Sequence, residues 1–297
     1  MPNLKTKYLA HAALLLLNLL YTISYFVVKG VSPVVISPSA FVFIRVVGAC
    51  LLFWLCSFFI KSEKIAIADL LKLGFACLFG VVINQLSFFN GLSYTSATNT
   101  AIIMTTTPLL ALPMSFFLLK ERIGIWKVLG VLIGFTGACI IILHNKIDST
   151  ASNPILGNIL IFINASSFTF YLVYMKPMMV KYHFVHLLKW LFLFGCILLI
   201  PISTSELREL DWDFSPAIWG AIAYVIFGIT FLTFMLNMFA LKHLSPNVVT
   251  SYIFAQPVLT ALLSFLVEGK IISWISIVSS LLIFVGVYFV SFRKAKV

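Results

Sequence analysis

Acidic side chains are scarce in this sequence. It holds nine Asp and Glu against 20 Lys and Arg in 297 residues, and charged residues together make up only 10%. Soluble domains carry roughly 25% charged and about 45–50% apolar residues; here 62% are hydrophobic and the mean hydropathy is +1.11. A chain of this length cannot enclose so much apolar surface in a water-soluble core, which excludes a soluble enzyme. The cysteines number five, with no CxxC pair, and Cys50, Cys56, Cys77, Cys139 and Cys196 all lie inside apolar runs. That pattern supports neither a disulfide framework nor a zinc site, and the five are read as small hydrophobes. HExxH, GxSxG, a Walker lysine loop and paired-carboxylate motifs are also missing. No enzyme, cofactor or metal is expected. The formal charge of +11 would suggest nucleic acid in a soluble protein. Here it reflects the lysines and arginines that hold loops on the cytoplasmic side of a membrane, so no nucleic-acid partner is expected.

What the chain does have is a succession of apolar runs, near residues 8–28, 37–60, 70–90, 97–119, 124–143, 155–175, 183–203, 215–237, 247–267 and 271–292. A bilayer-spanning helix takes roughly 20 apolar residues. The expected fold class is therefore an all-α integral membrane protein with ten transmembrane helices and the lipid bilayer as its surroundings. The first run follows Lys5 and Lys7 as a signal peptide would, but it is long enough to span. No small-x-small cleavage site before a soluble domain follows it, so it reads as a retained helix. The longest breaks, 144–154 and 204–214, are too short for a folded domain. With the N-terminus inside, fifteen Lys and Arg fall in inner segments and four (Lys29, Lys146, Arg208, Lys270) in outer ones. That bias predicts both termini in the cytoplasm. Glu206, Glu209, Asp211 and Asp213 crowd one outer loop.

The sequence also repeats. A shift of 149 residues carries Leu92 to Leu241, Ser96 to Ser245, Pro108 to Pro257, Leu110 to Leu259, Ser115 to Ser264, Phe116 to Phe265 and Gly137 to Gly286. A shift of 146 carries Asn18, Tyr21 and Tyr25 to Asn164, Ser167 and Tyr171. Five helices per half is an odd number, so the second half enters the membrane upside down. Residues 1–146 and 155–297 are thus expected to be two inverted five-helix repeats, with a site at their interface as in many secondary transporters.

Polar side chains at lipid depth are costly unless they face protein or water. Asn18, Tyr21 and Tyr25 share one face of the first run, and Asn164, Ser167 and Tyr171 repeat that spacing on the sixth. The third run carries Asn84, Gln85 and Asn90; the eighth carries Thr230, Thr233 and Asn237. Tyr252 and Gln256 lie one turn apart on the ninth. The expected substrate-binding set is Asn18, Tyr21, Tyr25, Asn84, Asn164, Ser167, Tyr171, Thr233, Asn237, Tyr252 and Gln256. The alternative for each is hydrogen bonding between helices. Pro108 and Pro257, in mid-run after Thr107 and Gln256, free backbone groups. They are expected to act as gating hinges or site-forming bends, the alternative being packing kinks. Gly130, Gly134 and Gly137 follow small-residue spacing and predict close helix packing, within the chain or in a dimer. The expected unit is a monomer or weak homodimer.

Arg45 stands eight residues into the second run. It has three readings: snorkelling to the outer interface, pairing with a backbone carbonyl, or taking a substrate carboxylate. No acid lies at the centre of a run; Glu268 comes nearest, and His11, His144, His183, His186 and His243 lie near interfaces. Proton- or sodium-coupled carriers commonly use a buried carboxylate. Facilitated diffusion or exchange is therefore expected, with binding through aromatic faces and neutral donors rather than ion pairs.

The whole chain resembles the drug/metabolite transporter superfamily, in particular its ten-span EamA-type members. The resemblance rests on the five-plus-five layout, on Arg45, and on Gly91-Leu92-Ser93-Tyr94-Thr95-Ser96-Ala97 leading to Pro108 and then Lys120-Glu121-Arg122. In the second half Lys270 stands where the family usually has a glutamate, with Glu268 two residues earlier. The resemblance implies a carrier of amino acids, other small metabolites or drug-like compounds, often an exporter, in the bacterial inner membrane. It implies alternating access, with helices one, three, four, six, eight and nine around a central cavity. A membrane subunit without transport activity and a membrane-embedded lipid-modifying enzyme are the alternatives.

Overall fold

The computed structural model describes residues 4–28, 35–95, 97–144, 152–268 and 274–292. Every regular element among them is helical, as lipid demands: with no water to satisfy backbone N–H and C=O groups, a helix satisfies them within one segment. The elements are α1 (Leu4–Val28), α2 (Pro38–Phe58), α3 (Ile67–Cys77), α4 (Asn84–Tyr94), α5 (Ala97–Met104), α6 (Thr107–Leu119), α7 (Ile125–His144), α8 (Pro154–Met175) and α9 (Met178–Lys181). They continue with α10 (Phe184–Glu209), α11 (Pro216–Tyr224), α12 (Thr233–His243), α13 (Pro246–Ser251), α14 (Ala255–Glu268) and α15 (Trp274–Phe292).

Several runs are broken helices. A π-helical stretch, Leu78–Ile83, joins α3 to α4, and a second, Val225–Leu232, joins α11 to α12. A 3-10 turn, Tyr252–Phe254, lies between α13 and α14. Counting joined pieces as one, eight helical segments among the described residues are long and apolar enough to cross a membrane, and Ile125–Ile140 is a shorter apolar helix. Proline opens α2, α8, α11 and α13, where its missing N–H needs no partner. Asn153 caps α8 by accepting from the Leu156 N–H.

Three element starts recur at one spacing. A shift of 149 residues carries Asn84, Ala97 and Ile125, the first residues of α4, α5 and α7, to Thr233, Pro246 and Trp274, the first residues of α12, α13 and α15. Irregular backbone follows the same rule, since both π stretches precede the matched pair α4 and α12.

The outward surface is apolar, with Phe58, Phe59, Ile67, Ile155, Val180 and Trp274 largely exposed, as a lipid-facing wall requires. Inside, Phe53 of α2 lies 4.9 Å from the rings of Phe192 and Phe231, and Phe192 lies 4.9 Å from Phe234. This stack ties α2, α10 and the second π stretch into one core. The glycine stripe on α7 is spent within the chain: Gly130, Gly134 and Gly137 face α15 and Phe254 so closely that none has room for a Cβ.

Candidate functional site

The first π stretch ends at Asn84, and there a polar clasp joins α4 to α8. Asn164 Nδ2 donates to the Asn84 carbonyl at 2.7 Å, and Asn84 Nδ2 donates to the Asn164 carbonyl at 3.3 Å. Ser167 Oγ donates to the same Asn164 carbonyl at 3.0 Å. π geometry disturbs the i→i−4 ladder, and the carboxamide of the opposite helix supplies a donor there. The Oδ1 of Asn164 is buried and accepts nothing among the described residues. Tyr171, two turns beyond Asn164 on α8, is fully enclosed. Its ring lies against Gly80 of the π stretch, leaving no space for a Cβ, and its hydroxyl lies 3.5 Å from Met238 Sδ. Gln85, next to Asn84, is buried, while Asn84 itself is only half-buried.

A second polar group forms where α1 meets the second π stretch. Asn18 is buried, with Nδ2 on the Leu14 carbonyl at 2.7 Å, and Thr22 Oγ1 donates to the Asn18 carbonyl at 2.8 Å. The Tyr21 hydroxyl meets Thr233 and lies in the field of Arg45. Thr233 is fully buried. Thr230 Oγ1 donates to the Val225 carbonyl five residues back, at 2.9 Å, and accepts from Arg45 Nε at 3.1 Å. Arg45 is 5% exposed, so it does not snorkel. Its guanidinium lies 4.9 Å from the Phe89 ring centroid and 5.7 Å from that of Phe41. Asn237, one turn beyond Thr233, is buried, and its Oδ1 likewise lacks a donor among the described residues. The side chain of Tyr25 lies outside the described residues.

The two prolines stand at breaks. Pro108 opens α6 after a two-residue interruption at Thr105 and Thr106, so the fourth run is two half-helices rather than one kinked rod. Thr105, Thr106 and Thr107 each turn a hydroxyl back onto the carbonyl three residues earlier, at 2.6 Å. The third of these covers Met104, the carbonyl that Pro108 cannot satisfy. Pro257 follows the 3-10 turn in the matching place. In that turn the Tyr252 hydroxyl lies 2.7 Å from His11 Nδ1 on α1. Gln256 is half-buried, and its carbonyl accepts from Thr260 Oγ1 at 2.9 Å.

Two cavities lie away from these residues. One of about 310 Å³ is lined by Asp69, Lys72, Leu118, Tyr174, Pro177 and Lys181 among others. The second, about 370 Å³, is lined by Phe43, Ile44, Val47, Gly48, Leu207 and Trp212. None of the predicted binding residues lines either.

The lysine-rich end is laced together by contacts that sequence reasoning missed. Asp69, buried at the start of α3, pairs with Lys72 and Lys181 and accepts from the Tyr182 hydroxyl at 3.0 Å. Glu121 pairs with Lys127 and accepts from Asn247 Nδ2 at 3.2 Å. Lys176 covers carbonyls at the end of α12, those of Leu241 and Leu244. Asp69 and Lys72 are an i,i+3 pair, but Lys181, Tyr182 and Asn247 lie more than 100 residues from the acids they meet and no spacing rule joins them. At the other end Ser37 donates to Glu206, and Thr95 Oγ1 donates to Asn158 Oδ1 at 2.7 Å.

The profile of the EamA-like transporter family matches the chain twice, over residues 9–143 and 155–292. The chain belongs to the EamA-like transporter family. An uncharacterized transporter of Archaeoglobus fulgidus is similar to this EamA-like chain, 23% identical over 273 residues, 92% of this chain and 94% of the relative. The uncharacterized transporter YyaM of Bacillus subtilis is 26% identical over 202 residues, 67% of this chain and 66% of the relative. Protein WALLS ARE THIN 1 of Arabidopsis thaliana is 24% identical, over 96% of this chain and 83% of the relative. A solved crystal structure superposes with a TM-score of 0.76 over 98% of this chain and 99% of that one, at 16% identity. It shares the fold. This EamA-like protein is thus a multi-span helical membrane transporter.

Proposed function

We propose that the protein is a secondary carrier that moves small hydrogen-bonding solutes, such as amino acids or related metabolites, across the cytoplasmic membrane by alternating access, with export as the net direction. In this reading the ten helical runs form two inverted five-helix repeats, both termini are cytoplasmic, and the lysine-rich end faces the cytoplasm. The observation that carries it is the pair of buried carboxamide oxygens, Asn164 Oδ1 and Asn237 Oδ1, with no donor from the protein among the described residues. Leaving a buried polar group unmatched costs about 1–3 kcal/mol. A solute that donates hydrogen bonds offsets that cost as it binds. Both oxygens stand beside π stretches, where irregular backbone at membrane depth is tolerated because it lines protein or a cavity.

The matched helix breaks at Pro108 and Pro257 supply the bends about which two halves could rock. The glycine face of α7 is already covered by α15, which favours a monomer. The acids whose side chains are described lie near the ends of their runs, which supports exchange or facilitated diffusion; Glu268 and His144 have side chains outside the described residues. The test is counterflow of an amino-acid and metabolite panel in proteoliposomes, with and without a proton gradient. Saturable accumulation by the wild type, lost in Asn164→Leu at equal protein level, is the expected result. Counterflow unchanged in Asn164→Leu would refute the site. Transport that collapses on neutralising Glu268 or His144, with protein level held, would refute uncoupled exchange.

A further inference from the structure

We infer that Arg45 is the counter-charge for a substrate carboxylate, so that the solute carried is an organic acid or amino acid bound through its carboxyl group. The inference rests on the carrier reading above and adds to it the one ionic contact of the site.

The argument starts from cost. A guanidinium stays protonated at any physiological pH, and burying an unpaired charge is expensive even after relaxation. Arg45 is 5% exposed, about 10 Å along α2 from its first residue. No carboxylate among the described residues lies within ion-pair distance of it. The three ion pairs found there use Lys72, Lys127 and Lys181. A backbone-carbonyl partner is not found among the described residues either; there, Arg45 Nε donates to a neutral hydroxyl, Thr230 Oγ1. The faces of Phe89 and Phe41 supply partial compensation.

Geometry then selects the ligand. A guanidinium offers two forked donor faces, one from Nε with a neighbouring Nη, the other from the two Nη groups end-on. Thr230 takes Nε, which leaves the end-on fork, and a planar carboxylate fits a fork with two parallel hydrogen bonds. The rings of Phe89 and Phe41 flank the guanidinium on the protein side. The residues around it are those of the second polar group. Tyr21 lies in the field of Arg45, and Thr233 meets Tyr21. A carboxylate seated here would touch a cation, and Thr233 and Asn237 follow Thr230 by three and seven residues along the same helical run, with Asn237 Oδ1 lacking a donor among the described residues.

The test separates binding from transport. Full-length protein in detergent is heated with matched acid and amide probes at millimolar concentration: L-leucine with L-leucinamide, L-phenylalanine with L-phenylalaninamide, and butyrate with butyramide. At least one acid should raise the unfolding temperature of the wild type while its amide does not. Arg45→Gln should weaken that acid roughly ten- to hundredfold, the worth of a charged hydrogen-bond pair. Arg45→Lys, which keeps charge but loses the fork, should fall between. Protection by amides equal to that by acids, or no protection by any acid, overturns the inference, and both are read on the wild type even if the variants fail to fold. Acid protection retained in Arg45→Gln also overturns it. Acid-selective protection without counterflow would leave Arg45 as a carboxylate site and refute the carrier reading instead.

Discussion

Replacing Gly286 by alanine puts a methyl group where the backbone of another helix already stands. A Cβ at Gly286 would lie 2.6 Å from the Gly130 carbonyl oxygen, 2.6 Å from the Gly134 nitrogen and 2.7 Å from the Gly134 Cα. These are backbone atoms of α7, which cannot swing aside as a side chain would. Restoring ordinary contact near 3.5 Å requires α15 to move off by about 0.9 Å, and a gap of that size forfeits roughly a quarter to a half of each dispersion contact along the seam. In lipid the seam has no hydrophobic effect to fall back on, because the chains outside are as apolar as those within. Overpacking costs about 1–3 kcal/mol where side chains yield, and here the upper end applies. Relief of the glycine helix penalty returns roughly 0.5–1 kcal/mol, so a net loss near 2 kcal/mol is expected. Gly220→Ala is the matched control: nothing lies within 4 Å of its added Cβ, so it should be neutral or slightly stabilising. Both variants, heated in detergent and passed over a sizing column, give the fraction surviving as a monodisperse peak. A Gly286→Ala protein as heat-stable as Gly220→Ala would refute the backbone-contact argument.

Three further outcomes follow from contacts described above. Asn84→Ala removes the 3.3 Å bond to the Asn164 carbonyl and should lower thermal stability by about 1 kcal/mol; an unchanged melt would contradict this. Thr107→Val removes the hydroxyl that covers the Met104 carbonyl and should cost about 1 kcal/mol, with Thr107→Ser restoring it; a silent Thr107→Val in the same assay would mean that the carbonyl finds another donor. Glu121→Ala breaks the links to Lys127 and Asn247. It should speed thiol labelling of a Val248→Cys reporter from the lysine-rich side, and an unchanged labelling rate would show that this end is held shut by other contacts.

Length, periodicity and the 149-residue shift make most of the fold legible in the sequence. Apolar runs became helices within a few residues of their expected ends, because a run's length is dictated by the bilayer and its breaks by Pro, Asn and charge. The shift found from Pro108 and Pro257 marks the same matched element starts in three dimensions. Two features of the backbone are not legible in the sequence. Pro108 opens a half-helix instead of bending a whole one, since three consecutive threonines stabilise the break by turning hydroxyls inward, a local competition that periodicity does not register. The π stretches were invisible too: Leu78–Ile83 and Val225–Leu232 are apolar runs like any other.

The candidate site was legible as a set of polar residues on particular faces, but not as pairs. Nothing in the spacing joins Asn84 to Asn164, Tyr21 to Thr233 or His11 to Tyr252, because each pair is fixed by the packing of helices far apart in sequence. Arg45 was noticed for its depth, and the structure supplies its hydroxyl and aromatic neighbours. Asn247 passed unnoticed, its one signal being its position beside Pro246 at the start of α13.

The π stretches carry a consequence for how this protein tolerates change. A π turn bonds i to i+5 and so takes in one residue more than the α turn it replaces, leaving the helix beyond it on nearly the face it would otherwise show. Removing one residue from Leu78–Ile83 would let the ladder close as α and still present Asn84 to α8. The same deletion in Val225–Leu232 would spare Thr233 and Asn237. Elsewhere a deletion has no such outlet, because an α-helix advances about 100° per residue and everything past the cut would swing by that angle. The two π stretches are therefore slack in the chain, places where its length can change by one residue while the polar groups beyond them keep their partners.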